Sequence, residues 1–275
     1  MNHTFATLTA MHWLAVAFYA LAALGNTWGI LFQKEKVERA AYRLLGAGLL
    51  AHGAALLFWW HEVGHGPYIA RHEILSAMAW VMLALFLGFC RFFPAIRPTS
   101  MLIFPSALLM IGLGIFFNPA VKELPPTFRG IWLVLHVSFY VVALPTILIA
   151  LALSLGYVLK KRTGYAWVAR LSEPEAMDVL AYRFAGFGFV FWSIGMLTGA
   201  IWAYDSWGRF WGWDPIETWS LITWGAFGLY LHLRRFFNLR GEKAAVLLGV
   251  CFLLSVVALF FVSLLDSSAH SEYFR

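Results

Sequence analysis

No Asp, Glu, Lys or Arg occurs between Met1 and Gln33, and apolar runs of comparable length recur to the end of the chain. A run of about 20 apolar residues is long enough to cross the hydrocarbon core of a bilayer as one helix. In lipid every backbone N–H and C=O must be satisfied within the protein, which leaves helices or a closed barrel. The runs are continuous rather than alternating, so the chain is expected to be an all-α, polytopic membrane protein. Composition agrees: charged residues make up 12% of the 275, against about 25% in soluble domains. About eight transmembrane helices are expected, at roughly 8–31, 41–60, 74–93, 99–117, 131–158, 184–204, 217–236 and 244–265. No basic segment precedes the first run, so it reads as a retained helix rather than a cleaved signal.

If both termini lie on one side and the helices alternate, fifteen of the twenty Lys and Arg fall on the opposite side. The positive-inside rule makes that side cytoplasmic, so both termini are expected on the outer, periplasmic side. The net charge of +6 then belongs to cytoplasmic loops facing membrane lipid, and no nucleic-acid partner is expected. The chain reads as one integral membrane domain over 1–275, with an outer loop at about 202–224 and a cytoplasmic amphipathic segment at about 163–183. In that segment Ser172-Glu173-Pro174-Glu175 has capping-box spacing, which predicts a short helix leading to the sixth span. Pro145 predicts a local bend in the fifth span. Cys90 and Cys251 lie in apolar runs outside any CxxC pattern and read as packing residues.

The outer loop carries the chemistry. Trp202, Trp207, Trp211, Trp213, Trp219 and Trp224 are six of the fourteen tryptophans, gathered around Gly208 and Gly212 as an apolar platform for a large planar ligand. Asp214-Pro215-Ile216-Glu217 predicts a helix start, with Asp as N-cap, Pro at N1 and Glu at N3. Histidine inside a membrane span is rare and tends to be functional. His136 lies about 9 Å into the fifth span from its outer end at 1.5 Å per residue, and His270 follows the eighth span on the same side. Two imidazoles and an aromatic platform at one depth predict a haem site with axial histidines. Arg209, with Arg129 and Lys122, is the candidate to pair with haem propionates. His232 is placed near the cytoplasmic end of the seventh span. His52 is placed near mid-membrane, with no matching partner evident. His61, His65 and His72 fall in the loop before the third span, whose spacings do not match a zinc site; this loop is expected to act as a lid.

The stretch WGRFWGWDPIETWSLITW closely resembles the WWD signature of haem-handling proteins of cytochrome c maturation. The continuation through Tyr230-Leu231-His232-Leu233-Arg234 is most similar to the system II subunit (CcsA/ResC type). So are Gly64-His65-Gly66-Pro67 with Glu73, the WLVLHVSFY stretch around His136, and Tyr182-Arg183. The family's Asn-x-Tyr-Glu reads here Ala70-Arg71-His72-Glu73. The resemblance implies that His136 and His270 are axial ligands to haem b at the outer site, and that His232 is the ligand of a membrane haem. His52, His65, Glu73 and Glu217 are further candidates. It also implies a separate CcsB/ResB-type membrane subunit, apocytochrome c with its CxxCH motif as acceptor, and thiol-reductant proteins acting indirectly. The implied activity is that of a cytochrome c haem lyase subunit. A haem transporter that presents haem without forming the thioether, or a regulatory protein of the same fold, are the alternatives. The implied compartment is the bacterial cytoplasmic membrane rather than a thylakoid membrane.

Overall fold

The computed structural model describes residues 2–117 and 126–262; His270 and Lys122 lie outside them. The chain is helical and divides into two compact units, one of 1–122 with 164–171 and one of 123–163 with 172–275.

The first unit holds α1 (Asn2–Leu31), α2 (Glu35–Val63), α3 (Arg71–Phe92) and α4 (Ser100–Ile115), with 3-10 turns at Pro94–Thr99 and Val168–Arg170. The second holds a 3-10 turn at Pro126–Arg129, then α5 (Ile131–Arg162), α6 (Pro174–Trp207), α7 (Pro215–Phe236) and α8 (Gly241–Val256), continued by a π-turn at Val257–Phe261. Within each unit every helix packs on the next, and the last returns to the first. Each unit is therefore a ring of four helices, the up-and-down arrangement that short connections favour.

Among the described residues, seven helical segments are long and apolar enough to cross a membrane. The stretch of α7 is not among them. It carries Glu217 at one end and Arg234 and Arg235 at the other, with Ser, Thr, His and Tyr between.

In the second unit, α5 and α6 lie in close contact because α6 presents small residues. A Cβ at Gly195 would stand 3.0 Å from the Tyr140 ring, and one at Gly199 would overlap the His136 imidazole. Membrane helices associate without a hydrophobic driving force, so such small-residue seams set how near two backbones approach.

The expected capping box at Ser172 does not form. Pro174 occupies the first position of α6, which makes Glu173 the N-cap, and the Glu173 side chain makes no capping bond. Instead it pairs with Lys160 at 3.2 Å, and Lys160 also donates to the Ser172 carbonyl. There is no separate short helix; α6 runs unbroken from Pro174 to Trp207.

The first unit corrects a second expectation, since His52 has partners. It is fully buried, with Nδ1 bonded to the Tyr19 hydroxyl at 3.1 Å and Nε2 to Ser76 Oγ at 2.8 Å. Ser76 Oγ also meets His12 Nε2 at 2.9 Å, and His12 Nδ1 bonds the Leu8 carbonyl at 3.0 Å. These groups stand on three helices, so sequence spacing alone does not bring them together.

Candidate functional site

The site is built where α5, α6 and α7 meet the tryptophan loop. α6 ends at Gly208, whose φ of 71° is the left-handed cap conformation that glycine adopts without strain. α7 then starts as its sequence predicts. Asp214 accepts from the Ile216 N–H at 2.9 Å, and the Glu217 carboxylate reaches back to the Asp214 N–H at 3.2 Å. Glu217 also accepts from the Gly212 N–H at 2.7 Å, which pins the loop to the helix. Trp213, directly before the cap, has φ 57° and is 70% exposed. For a bulky residue this is a strained conformation of the kind found at functional sites, costing about 1–3 kcal/mol.

A cavity of ≈ 410 Å³ opens beneath this loop. His136 and Tyr140 line it from α5, Gly199 and Trp202 from α6, Trp211 from the loop, and Glu217 and Ser220 from α7. His136 bonds the Gly195 carbonyl through Nδ1 at 2.8 Å. A carbonyl only accepts, so Nδ1 carries the proton and the lone pair is on Nε2. This is the arrangement by which metal-ligating histidines are oriented. The ring stacks on buried Trp202 at 6.3 Å and 17°, and meets Tyr140 edge-on at 5.1 Å. The Tyr140 hydroxyl bonds Ser220 Oγ at 2.6 Å, and Trp192 donates to the same oxygen at 3.1 Å.

The tryptophans do not form one platform. Trp202 and Trp211 line the cavity. Trp207 packs edge-on against Trp202 at 5.1 Å, and Phe128 does so from the other turn at 5.7 Å. Trp213 meets Trp211 edge-on at 5.9 Å and points outward. Trp219 is half-buried outside the lining. Trp224 lies further along α7, stacked on Phe189 at 5.5 Å and donating to Ser193 Oγ. The exposed Phe210 stacks on Tyr204 at 4.4 Å and joins the lining, so these rings add apolar surface at the mouth.

Arg209 is exposed, with its guanidinium packed over Gly212, where a Cβ would stand 2.7 Å away. Arg129 is exposed at the end of its turn. His232 is exposed near the far end of α7, beside Phe236 at 4.7 Å. It stands about 24 Å along the helix from Ile216 at 1.5 Å per residue. Next to it Arg234 is half-buried and paired to Asp178 at 2.7 Å, over the Tyr182 ring at 5.2 Å.

In the first unit, Glu73 is spent on three donors: Trp59 Nε1 at 2.8 Å and the Ile69 and Ala70 N–H groups. His65 bonds the Gly66 carbonyl at 2.9 Å and stands 4.0 Å from Glu73. Partial burial and the Glu73 charge raise the pKa of Tyr68 in the same loop.

Sequence reasoning missed Tyr140, Ser220 and Phe210. The first two carried a signal, since Tyr140 is one helical turn beyond His136 and Ser220 one turn beyond Glu217.

Helices long and apolar enough to cross a membrane, with a histidine-bearing cavity under a tryptophan loop, make this a multi-pass membrane protein. A family model described as "Cytochrome C assembly protein" matches residues 89–270, and the chain belongs to that family. Within it the chain is similar to the CcsA type, and its role is in cytochrome c maturation. It is 34% identical to the cytochrome c biogenesis protein CcsA of Chlamydomonas reinhardtii over 241 residues, covering 84% of this chain and 67% of that one. It is 29% identical to the CcsA of Prochlorococcus marinus (strain NATL2A), covering 98% and 96%. Among solved structures, the cytochrome c heme lyase CcmF shares the fold at a TM-score of 0.70 and 16% identity. The match covers 98% of this chain and 48% of the lyase, so the chain spans about half the lyase's length.

Proposed function

We propose that the cavity under the tryptophan loop holds haem b as substrate, with His136 as one axial ligand. The observation that carries this reading is the His136 imidazole, held by the Gly195 carbonyl and stacked on Trp202 at a largely apolar cavity. Gly199 supports it, because only a residue without a Cβ leaves the ring its place. His270 is the proposed second axial ligand. Trp202 and Trp211 form the inner wall, with Trp207, Trp213, Trp219 and Trp224 around it. Arg209 and Arg129 are the proposed propionate partners; both are exposed, which suits a charged group at the mouth.

The chemistry proposed is covalent attachment to the CxxCH cysteines of apocytochrome c, together with a separate CcsB/ResB-type subunit. Each thioether forms when an S–H adds across a haem vinyl C=C, sulfur to one carbon and hydrogen to the other, with no net oxidation. The chain's own part is to bind, orient and shield the haem. Glu217 and Asp214 act as the cap that shapes the loop, not as acid and base, since their oxygens hold backbone N–H groups. His232 is the proposed ligand for haem on its way through the membrane, its second ligand coming from the partner subunit. α7 is then an eighth span, both termini face outward, and the two units work as one integral membrane domain. A bacterial cytoplasmic membrane is the proposed location. The cyanobacterial and algal relatives keep a thylakoid membrane as the alternative.

The test is the reduced visible spectrum of the protein purified with its partner from haem-replete cells, for wild type, His136→Ala and His270→Ala. Six-coordinate bis-histidine haem in the wild type, lost in the single variants and restored by imidazole, is expected. Unchanged spectra in both variants overturn the ligand assignment.

A further inference from the structure

The first unit has an open cleft of its own, of ≈ 380 Å³, between the start of α1, the start of α3 and the end of α4. Leu8, Thr9, His12, His72, Ser76 and Phe117 line it. His72 is 8% exposed, yet neither ring nitrogen has a hydrogen-bond partner. Among the described residues the other buried side-chain atom in that condition is Ser206 Oγ. The ring is held in place by Trp59, edge-on at 5.6 Å. Buried polar groups are almost always bonded, and leaving one unmade is costly. The cleft therefore asks for a ligand that hydrogen-bonds an imidazole.

Three features narrow the ligand. First, the lining is largely apolar: Leu8, Ile111, Ile115 and Phe117 surround the polar groups. The three helices that form it belong to candidate membrane spans, which favours a lipid-soluble occupant. Second, no carboxylate lines it, and among the described residues no three His, Cys, Asp or Glu side chains converge as a metal site. A cationic or metal-bound head group therefore finds no counter-charge in this lining. Third, a neutral imidazole offers one donor and one acceptor, so it can bond either a carbonyl or a hydroxyl. The hydrogen-bonded run from His12 through Ser76 and His52 to Tyr19 begins at this cleft. Such a run suits a ligand whose oxygens gain and lose protons.

We propose that the cleft at His72 binds the head group of a lipid-soluble quinone. Nothing in this inference draws on the haem reading of the second unit.

The full chain in detergent is titrated calorimetrically with decylubiquinone and with menadione, against protein-free micelles. Saturable binding near one per chain is expected. His72→Phe weakens it at least tenfold, His72→Gln by less than threefold, and Thr9→Trp at the mouth at least tenfold. Thermal melts of each variant establish that the fold is retained. Binding no greater than partition into micelles, or equal binding by wild type, His72→Phe and Thr9→Trp, overturns the proposal. So does a hemin titration whose axial-imidazole spectrum depends on His72, which would assign the cleft to iron. Loss of quinone binding with a normal His136-dependent haem spectrum separates this inference from the haem proposal.

Discussion

The Gly199→Ala substitution adds one methyl group and tests the core of the haem reading. A Cβ at position 199 would overlap the His136 ring, so the imidazole must tilt or α6 must withdraw from α5. Overpacking of this kind costs about 1–3 kcal/mol. Tilting the ring also stretches the bond from Nδ1 to the Gly195 carbonyl, now 2.8 Å, a bond worth about 1 kcal/mol. If iron coordination needs the present ring position, bound haem bears a similar penalty. At about 1.4 kcal/mol per factor of ten, haem affinity falls roughly 5- to 150-fold. Gly186→Ala is the control, because nothing lies within 4 Å of a Cβ there; a mid-helix Gly→Ala change should raise stability by roughly 0.5–1 kcal/mol. The assay is haem content per chain and the reduced spectrum after purification with the partner, with and without added imidazole. Haem should be depleted in Gly199→Ala, rescued by imidazole, and normal in Gly186→Ala. Wild-type haem content and spectrum in Gly199→Ala would refute the role given to His136.

Two further outcomes follow from the site's edges. Glu217→Ala strips the acceptor from the Gly212 and Asp214 N–H groups; it should cost about 1–3 kcal/mol and lower haem content, whereas Asp214→Asn, a comparable N-cap, should stay near wild type in a thermal melt and haem assay. Arg234→Leu leaves the Asp178 charge without its partner in a part-buried setting and should cost up to about 3–5 kcal/mol of stability, the figure for a fully buried pair, seen as a clearly lower melting temperature, while Arg162→Leu, which removes the exposed pair with Glu242, should leave the melt unchanged.

The start of α7 was legible because its signal is local. Asp-Pro-x-Glu carries its own capping chemistry within four residues, and the structure forms it as read. Ser172-x-x-Glu175 has similar spacing and failed for an equally local reason: Pro174 takes the first helical position and shifts the cap to Glu173. The all-helical, membrane-spanning character of the chain and the cavity position of His136 also followed from the sequence. The tryptophan cluster was readable as a cluster but not as a surface. Which rings line the cavity depends on the left-handed turn at Trp213 and on the register of three helices. His52 shows the same limit, since Tyr19 and Ser76 reach it from other helices. The haem-ligand roles of His270 and His232 rest on resemblance, because His270 lies outside the described residues and His232 is exposed at the far end of α7.

The bonded groups of the first unit admit one assignment of protons when both histidines are neutral. The Leu8 carbonyl can only accept, so His12 carries its hydrogen on Nδ1 and takes one from Ser76 on Nε2. Ser76 has a single hydrogen to give, so it must receive from His52 Nε2, and His52 Nδ1 in turn receives from Tyr19. The two imidazoles are thus opposite tautomers, and all four bonds point the same way. Protonating His12 turns Ser76 around, moves the His52 hydrogen to Nδ1, and makes the Tyr19 hydroxyl an acceptor. A charge arriving at the edge of the unit is in this way registered at its buried centre without any helix moving.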